Sequence, residues 1–87
     1  MTGSPATNER VLDATIRLAL GLPDDAALKD AGYGRTVGWD SVGHTELVVA
    51  LEAAFGISIE PDHVFDMTDY GAVRRVLQSA YGVDLHS

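Results

Sequence analysis

Ser41 is the residue with the clearest chemical potential in this chain. It follows Asp40 and stands before Val42-Gly43-His44-Thr45-Glu46-Leu47, where a helix should begin. Either Asp40 or Ser41 is a good N-cap, and Leu47, Leu51 and Phe55 follow at spacings of four. Three readings of the serine stand side by side. As a plain cap it needs no further role, which is the default for an arbitrary serine before a helix. As a hydrolase nucleophile it would need a base, an oxyanion hole and a Gly-x-Ser-x-Gly elbow; Trp39 occupies the place of the first glycine. As a hydroxyl modified by another enzyme it needs only exposure and a preceding acid. At a helix N-terminus, backbone N–H groups and the helix dipole favour an attached phosphate.

Other reactive side chains form weaker patterns. His44, His63 and His86 lack the spacing of a zinc site and read as surface histidines, with His44 on the exposed side of its helix. Asp24-Asp25 is not part of a calcium loop. No metal site is expected. Without cysteine the chain has no disulfide and no thiolate of its own, which suits a reducing compartment such as the cytoplasm.

The net charge of −7 disfavours a nucleic-acid partner, because phosphates would be repelled. Its distribution is uneven. No Lys or Arg occurs from Thr36 to Val73, while Asp40, Glu46, Glu52, Glu60, Asp62, Asp66 and Asp69 all lie there. A one-signed region of this kind steers basic partners. No apolar run is long enough for a membrane span, Met1–Ala6 shows no signal-peptide pattern and Leu85–Ser87 no lipidation signal.

The positioning elements can be read from periodicity. Residues 1–7 are expected to be a flexible tail, with Thr7 capping a first helix over about Asn8–Leu20. Val11, Leu12, Thr15, Ile16, Leu18 and Ala19 form its apolar stripe, and Gly21 and Pro23 end it. Residues 22–40 form a long loop rich in turn residues, in which Asp24–Lys29 could make one helical turn. Leu28, Tyr33, Val37 and Trp39 are expected to pin that loop to the core.

A second helix is expected over Ser41–Phe55, closed by Gly56, with Leu47, Leu51, Ala54 and Phe55 facing inward. Val42, Thr45, Glu46, Val49 and Glu52 fall on its other side, and the two valines would form a small exposed apolar patch. Ile57 and Ile59 anchor an extended connection. Pro61 suits the first position of a short third helix through about Phe65, with Val64 and Phe65 pointing inward. Thr68 would cap a fourth helix over about Asp69–Tyr81, ended by Gly82, with Tyr70, Val73, Val76, Leu77 and Ala80 inward. Residues 83–87 complete the chain as a tail. The class is all-α: a small four-helix bundle of three main helices, one short helix and a long first loop, spanning residues 8–82 as one domain.

Asp40-Ser41-Val42, Glu46-Leu47, Ala50-Leu51-Glu52 and Phe55-Gly56-Ile57 together resemble the acyl carrier protein family, with Val42 in place of the usual Leu. The likeness extends from about Asn8 to Tyr81, its specific part being Asp40–Gly56. It implies that Ser41 bears a 4′-phosphopantetheine arm, transferred from coenzyme A by a phosphopantetheinyl transferase with magnesium, and that Asp40 helps place the metal or the transferase. The arm's thiol would then carry acyl groups as thioesters for acyl-loading and acyl-accepting enzymes, such as an acyltransferase or a ketosynthase. The same resemblance makes Val42, Thr45, Glu46, Val49, Glu52, Glu60, Asp62 and Asp66 a partner-binding set and suggests a non-catalytic monomer. Trp39, Gly43 and His44 depart from the housekeeping fatty acid pattern and look closer to discrete carriers of polyketide-type, natural-product pathways. The alternative from another class is an unmodified acidic helical adaptor that binds a basic protein.

Overall fold

Ser4 opens the first helix. Its Oγ accepts from the amide of Thr7, and Pro5 takes the first helical position, where its missing N–H costs nothing. This computed structural model describes residues 4–85. In it the chain forms α1 (Pro5–Leu20), α2 (Ser41–Phe55), α3 (Pro61–Asp66) and α4 (Tyr70–Tyr81), with no strand among the described residues. The all-α expectation holds.

α1 thus begins three residues earlier than the periodicity suggests, with Ser4 rather than Thr7 as its cap. Residues 5–7 are helical; residues 1–3 of the expected tail lie outside the described residues. α2 has the expected bounds, with Asp40 as N-cap and Gly56 in the left-handed conformation as C-cap. α3 extends one residue further, to Asp66. α4 is capped by Asp69, whose Oδ1 accepts from Ala72 N at 2.7 Å, and not by Thr68.

Leu12, Ile16, Leu47, Leu51, Met67, Val73 and Leu77 form the centre of one core. α1 and α2 make the broadest helix-to-helix contact. Several stripe residues lie outside this core. Leu18 is exposed, as are Ala54 and Ala80, because each stands at the edge of its apolar stripe where no neighbouring element covers it. Val83 and Leu85 are buried, so the segment after α4 packs as part of the domain and is no free tail. Asn8 Nδ2 donates to Asp84 O at 3.0 Å and Gln78 Nε2 to Leu85 O at 3.1 Å, fixing that segment to α1 and α4. Residues 86–87, with His86, lie outside the described part.

The long loop is held largely by hydrogen bonds. Arg17 donates through two nitrogens to Ala26 O, at 3.0 and 2.8 Å. Tyr33 N donates to Thr68 O at 2.8 Å and Tyr70 N to Ala31 O at 3.0 Å, an antiparallel bridge at Gly32 and Asp69. Leu28 and Trp39 anchor it in the core as expected. Tyr33 and Val37 do not: Val37 is 88% exposed and Tyr33 46%. The bridge to Thr68 holds the loop by backbone groups, so side-chain anchors at 33 and 37 are dispensable. Asp24–Lys29 forms turns and no helix.

Candidate functional site

The start of α2 is fixed by close backbone contact. A Cβ on Gly43 would lie 1.9 Å from Gly38 O, and one on Gly38 would lie 2.3 Å from Leu20 O. Gly38 also has φ +87°, which L side chains rarely adopt. The end of α1, the loop and the first turn of α2 therefore stack with no side chain between them. Glycine at both positions is what permits this approach, and it sets where Ser41 stands relative to the bundle.

Asp40 Oδ1 accepts from Gly43 N at 2.9 Å, and Asp40 O accepts from His44 N at 2.7 Å. That leaves Ser41 at the first helical position, exposed to solvent. Its Oγ has no hydrogen-bond partner among the described residues; only its carbonyl is engaged, by Thr45 Oγ1 at 3.0 Å. The amides of Ser41 and Val42 have no acceptor within the helix, as at any helix start. A phosphodiester on Oγ would thus meet free N–H groups and the positive end of a 15-residue helix. The site's chemistry suits an attached phosphate, and the open hydroxyl is accessible to another protein that would attach it.

Beside Ser41 lies a groove of about 500 Å³, lined by Tyr33, His44, Thr45, Val64, Phe65 and Thr68. Tyr33, Val64 and Thr68 were not expected at a site, and Phe65, expected to point inward, is 79% exposed here. A six-residue helix with no buried residue is too short for periodicity to choose its face. Only Val64 of the pair packs against the core.

His44 is not a free surface histidine. Its Nδ1 accepts from Trp39 Nε1 at 3.0 Å, and its Nε2 lies 2.8 Å from Val64 O. An indole N–H can only donate, so Nδ1 must be the acceptor and Nε2 carries the proton donated to Val64 O. Tyr33 meets the same ring edge-on at 5.7 Å. Trp39 is 1% exposed, so it packs in the core as expected. No signal in the sequence distinguishes this histidine from a surface one; only the distance of Trp39, five residues back, is consistent with a contact.

The other expected partner residues divide in two. Val42 (66% exposed) and Val49 (59%) are open on α2, and Thr45 and Glu46 are exposed beside them. Glu60, Asp62 and Asp66 are exposed at α3. Glu52 is half-buried and internally engaged: its Oε2 accepts from Ile59 N at 2.7 Å, capping the chain that leaves α2. His63 is also engaged, with Nδ1 2.6 Å from Tyr81 Oη, which accepts from Glu60 N at 2.8 Å. No cluster of potential metal ligands exists among the described residues. No helix among them is long and apolar enough to cross a membrane.

Comparison with known proteins bears on this geometry. The family described as "Phosphopantetheine attachment site" matches residues 10–77. "Acyl carrier protein 1, chloroplastic" of Casuarina glauca is 40% identical over 58 residues, covering 67% of this chain and 42% of that protein. The chain thus aligns with less than half the length of that relative. No solved structure matches. The family's cofactor is 4′-phosphopantetheine held covalently, and its members are in general carriers and not catalysts. The four-helix order, the capped serine at the start of α2 and the match over most of the chain agree: this protein belongs to the acyl carrier protein family.

Proposed function

We propose that Ser41 Oγ is the attachment point of 4′-phosphopantetheine, and that the chain carries acyl groups as thioesters on the arm's thiol. The observation that supports this most is the exposed, unpartnered hydroxyl at the first position of α2, within the matched residues 10–77. In the transfer, Oγ attacks the phosphorus of coenzyme A that bears the pantetheine, and the nucleotide bisphosphate leaves. The serine proton passes to a base of the transferase. Asp40 is engaged through Oδ1 as the cap, so it orients the serine's turn while standing exposed beside it. The arm supplies the thiol that this cysteine-free chain lacks.

The chain itself performs no catalysis in this reading. Its partners are a phosphopantetheinyl transferase and acyl-loading and acyl-accepting enzymes, such as an acyltransferase or a ketosynthase. Tethering raises the effective concentration of the cargo at each of them. Val42, Thr45, Glu46 and Val49 on α2, with Glu60, Asp62 and Asp66 at α3, form the docking face for basic surfaces. Such contacts are individually weak, about 0–1 kcal/mol each, which lets the carrier leave. Glu52 contributes less, because its carboxylate already serves Ile59. The pathway is of polyketide-type or fatty acid character; Trp39, Gly43 and His44 favour the former by motif. The cytoplasm is the proposed place of action.

Incubation with coenzyme A, magnesium and a broad-specificity transferase, followed by intact mass measurement, tests the proposal. A gain of one phosphopantetheine that disappears in Ser41→Ala is expected. A chain that stays bare would favour the unmodified acidic adaptor.

A further inference from the structure

The bridge through His44 has a consequence for the groove. α3 has no buried residue, and it contributes Val64 and Phe65 to the groove wall beside Ser41. At its C-terminal end, Val64 O accepts from Met67 N at 3.3 Å and from His44 Nε2 at 2.8 Å. The second of these comes from α2, one turn below Ser41. The same imidazole is held near the plane of the Trp39 indole: the two rings lie edge to edge through the hydrogen bond, 19° from coplanar, with centroids 6.3 Å apart. The indole is buried, so its N–H would lose its partner if the ring turned away, and a buried unpaired donor is costly.

We propose that His44 is a positioning residue: as the neutral imidazole protonated on Nε2, it ties Trp39 of the loop to the end of α3 and so sets the width of the groove beside Ser41. The claim rests on the carrier reading only in what occupies the groove, namely the arm and its acyl cargo. Its physical core is independent of that reading. Without the imidazole, the end of α3 keeps the contacts of Val64 and Met67 with the core, the bridge from Tyr33 N to Thr68 O and the hydrogen bonds at Glu60 and His63, but loses its one side-chain tie to α2 through Val64 O. The groove wall then moves more freely against α2.

The test uses the full chain with two variants. His44→Gln retains an acceptor and a donor on one side chain, while His44→Phe keeps the ring and loses both. In the unmodified wild-type protein, nitrogen-15 spectra of the imidazole should show the Nε2–H tautomer. The indole N–H of Trp39, the single tryptophan, should exchange slowly. In His44→Phe, amide exchange at Val64 and Met67 should quicken by roughly fivefold to tenfold, with the indole N–H shifted upfield. His44→Gln should restore most of both signals.

For the cargo, wild type and variants are loaded with a butyryl-phosphopantetheine arm from butyryl-coenzyme A. Acyl-dependent shifts at Val64, Phe65 and Thr68 should persist in His44→Gln and fall to less than about half in His44→Phe, as a loosened wall holds the cargo less. An Nδ1–H tautomer, or wild-type exchange at α3 in His44→Phe, overturns the proposal. Failure of the wild type to accept any arm overturns the carrier reading instead, and the tautomer and exchange data still decide the role of His44.

Discussion

The seam between α1 and α4 and the end formed by α2 and α3 are built on opposite plans. At the seam, Arg74 meets Glu9 with both terminal nitrogens, one of them 2.7 Å from Oε2. Its guanidinium also lies 5.5 Å from the centre of the Tyr70 ring, and Tyr70 Oη donates to Asp13 Oδ1 at 2.6 Å. The charges of Arg74 and Glu9 are paired and partly buried there, and bidentate pairs of this type are among the stronger polar contacts. At the other end, no Lys or Arg occurs between Arg35 and Arg74, the short helix has no buried residue, and Val42, Val49 and Phe65 are exposed. A pair of histidines and one tyrosine hydroxyl supply the side-chain hydrogen bonds to α3, beside the packing of Val64 and Met67. The lesson is a division of labour: paired side chains tie α1 to α4 at the seam, while the end bearing Ser41 stays open and acidic.

The largest expected effect comes where the two plans meet. Gly43→Ala forces a methyl group into Gly38 O, and both walls are backbone. A loss of about 3 kcal/mol is expected, or a fall in Tm of roughly 10 to 20 °C in thermal unfolding. A fall of only a few degrees would mean that the loop is not locked onto α2, and the contrast between the two ends would weaken.

Next is the seam itself. Arg74→Met should cost about 2 kcal/mol in denaturant unfolding, because it removes charged hydrogen bonds and leaves Glu9 without its bidentate partner. The amides of α3 should respond far less than those of α1 and α4. If both ends loosen equally, the seam does not act separately.

A smaller effect should appear in alkali. Burial, followed by the hydrogen bond to Asp13, pushes the Tyr70 hydroxyl up to about 12 from its usual 10. The folded state therefore keeps this proton more tightly than the unfolded chain. The stability it contributes is complete below pH 10 and is lost as pH rises from 10 to 12. Tyr70→Phe should flatten that decline relative to wild type when unfolding is followed across this range. An identical pH dependence in the two proteins would remove Tyr70 from the seam's account.

The smallest effect on folding belongs to the open end. Glu46→Lys should change stability by less than about 0.5 kcal/mol, since the side chain is exposed. It should nonetheless slow acyl loading by a cognate enzyme, by up to roughly fivefold. Unchanged loading would show that the acidic face at Glu46 does not guide docking.

Much of this arrangement was legible in the sequence, and the exceptions have physical reasons. α2 is bounded by Asp40 and Gly56, residues whose capping chemistry is local, so its limits are read without tertiary information. Asp69 caps in place of its neighbour Thr68, where two competent caps stand side by side, and Ser4 in place of Thr7 because Pro5 starts the helix three residues earlier. The exposure of Ser41, Val42 and Val49 follows from helical spacing. The exposure of Phe65 and Val37 does not, because one lies in a helix of six residues and the other in a loop held by a backbone bridge. The role of His44 depends on an indole and a carbonyl brought together by tertiary packing. Glu52, which resembles its acidic neighbours in sequence, differs from them only through its bond to Ile59.

The central claim concerns one oxygen atom, and peptide-level mass spectrometry after transferase treatment addresses it directly. Tryptic cleavage at Arg35, Arg74 and Arg75 isolates residues 36–74, whose hydroxyl side chains are Thr36, Ser41, Thr45, Ser58, Thr68 and Tyr70. Fragmentation of that peptide should place the whole phosphopantetheine group on Ser41 and none on the other hydroxyls. A group found on Thr45 or Ser58, or an unmodified peptide beside a fully active transferase, would contradict the account.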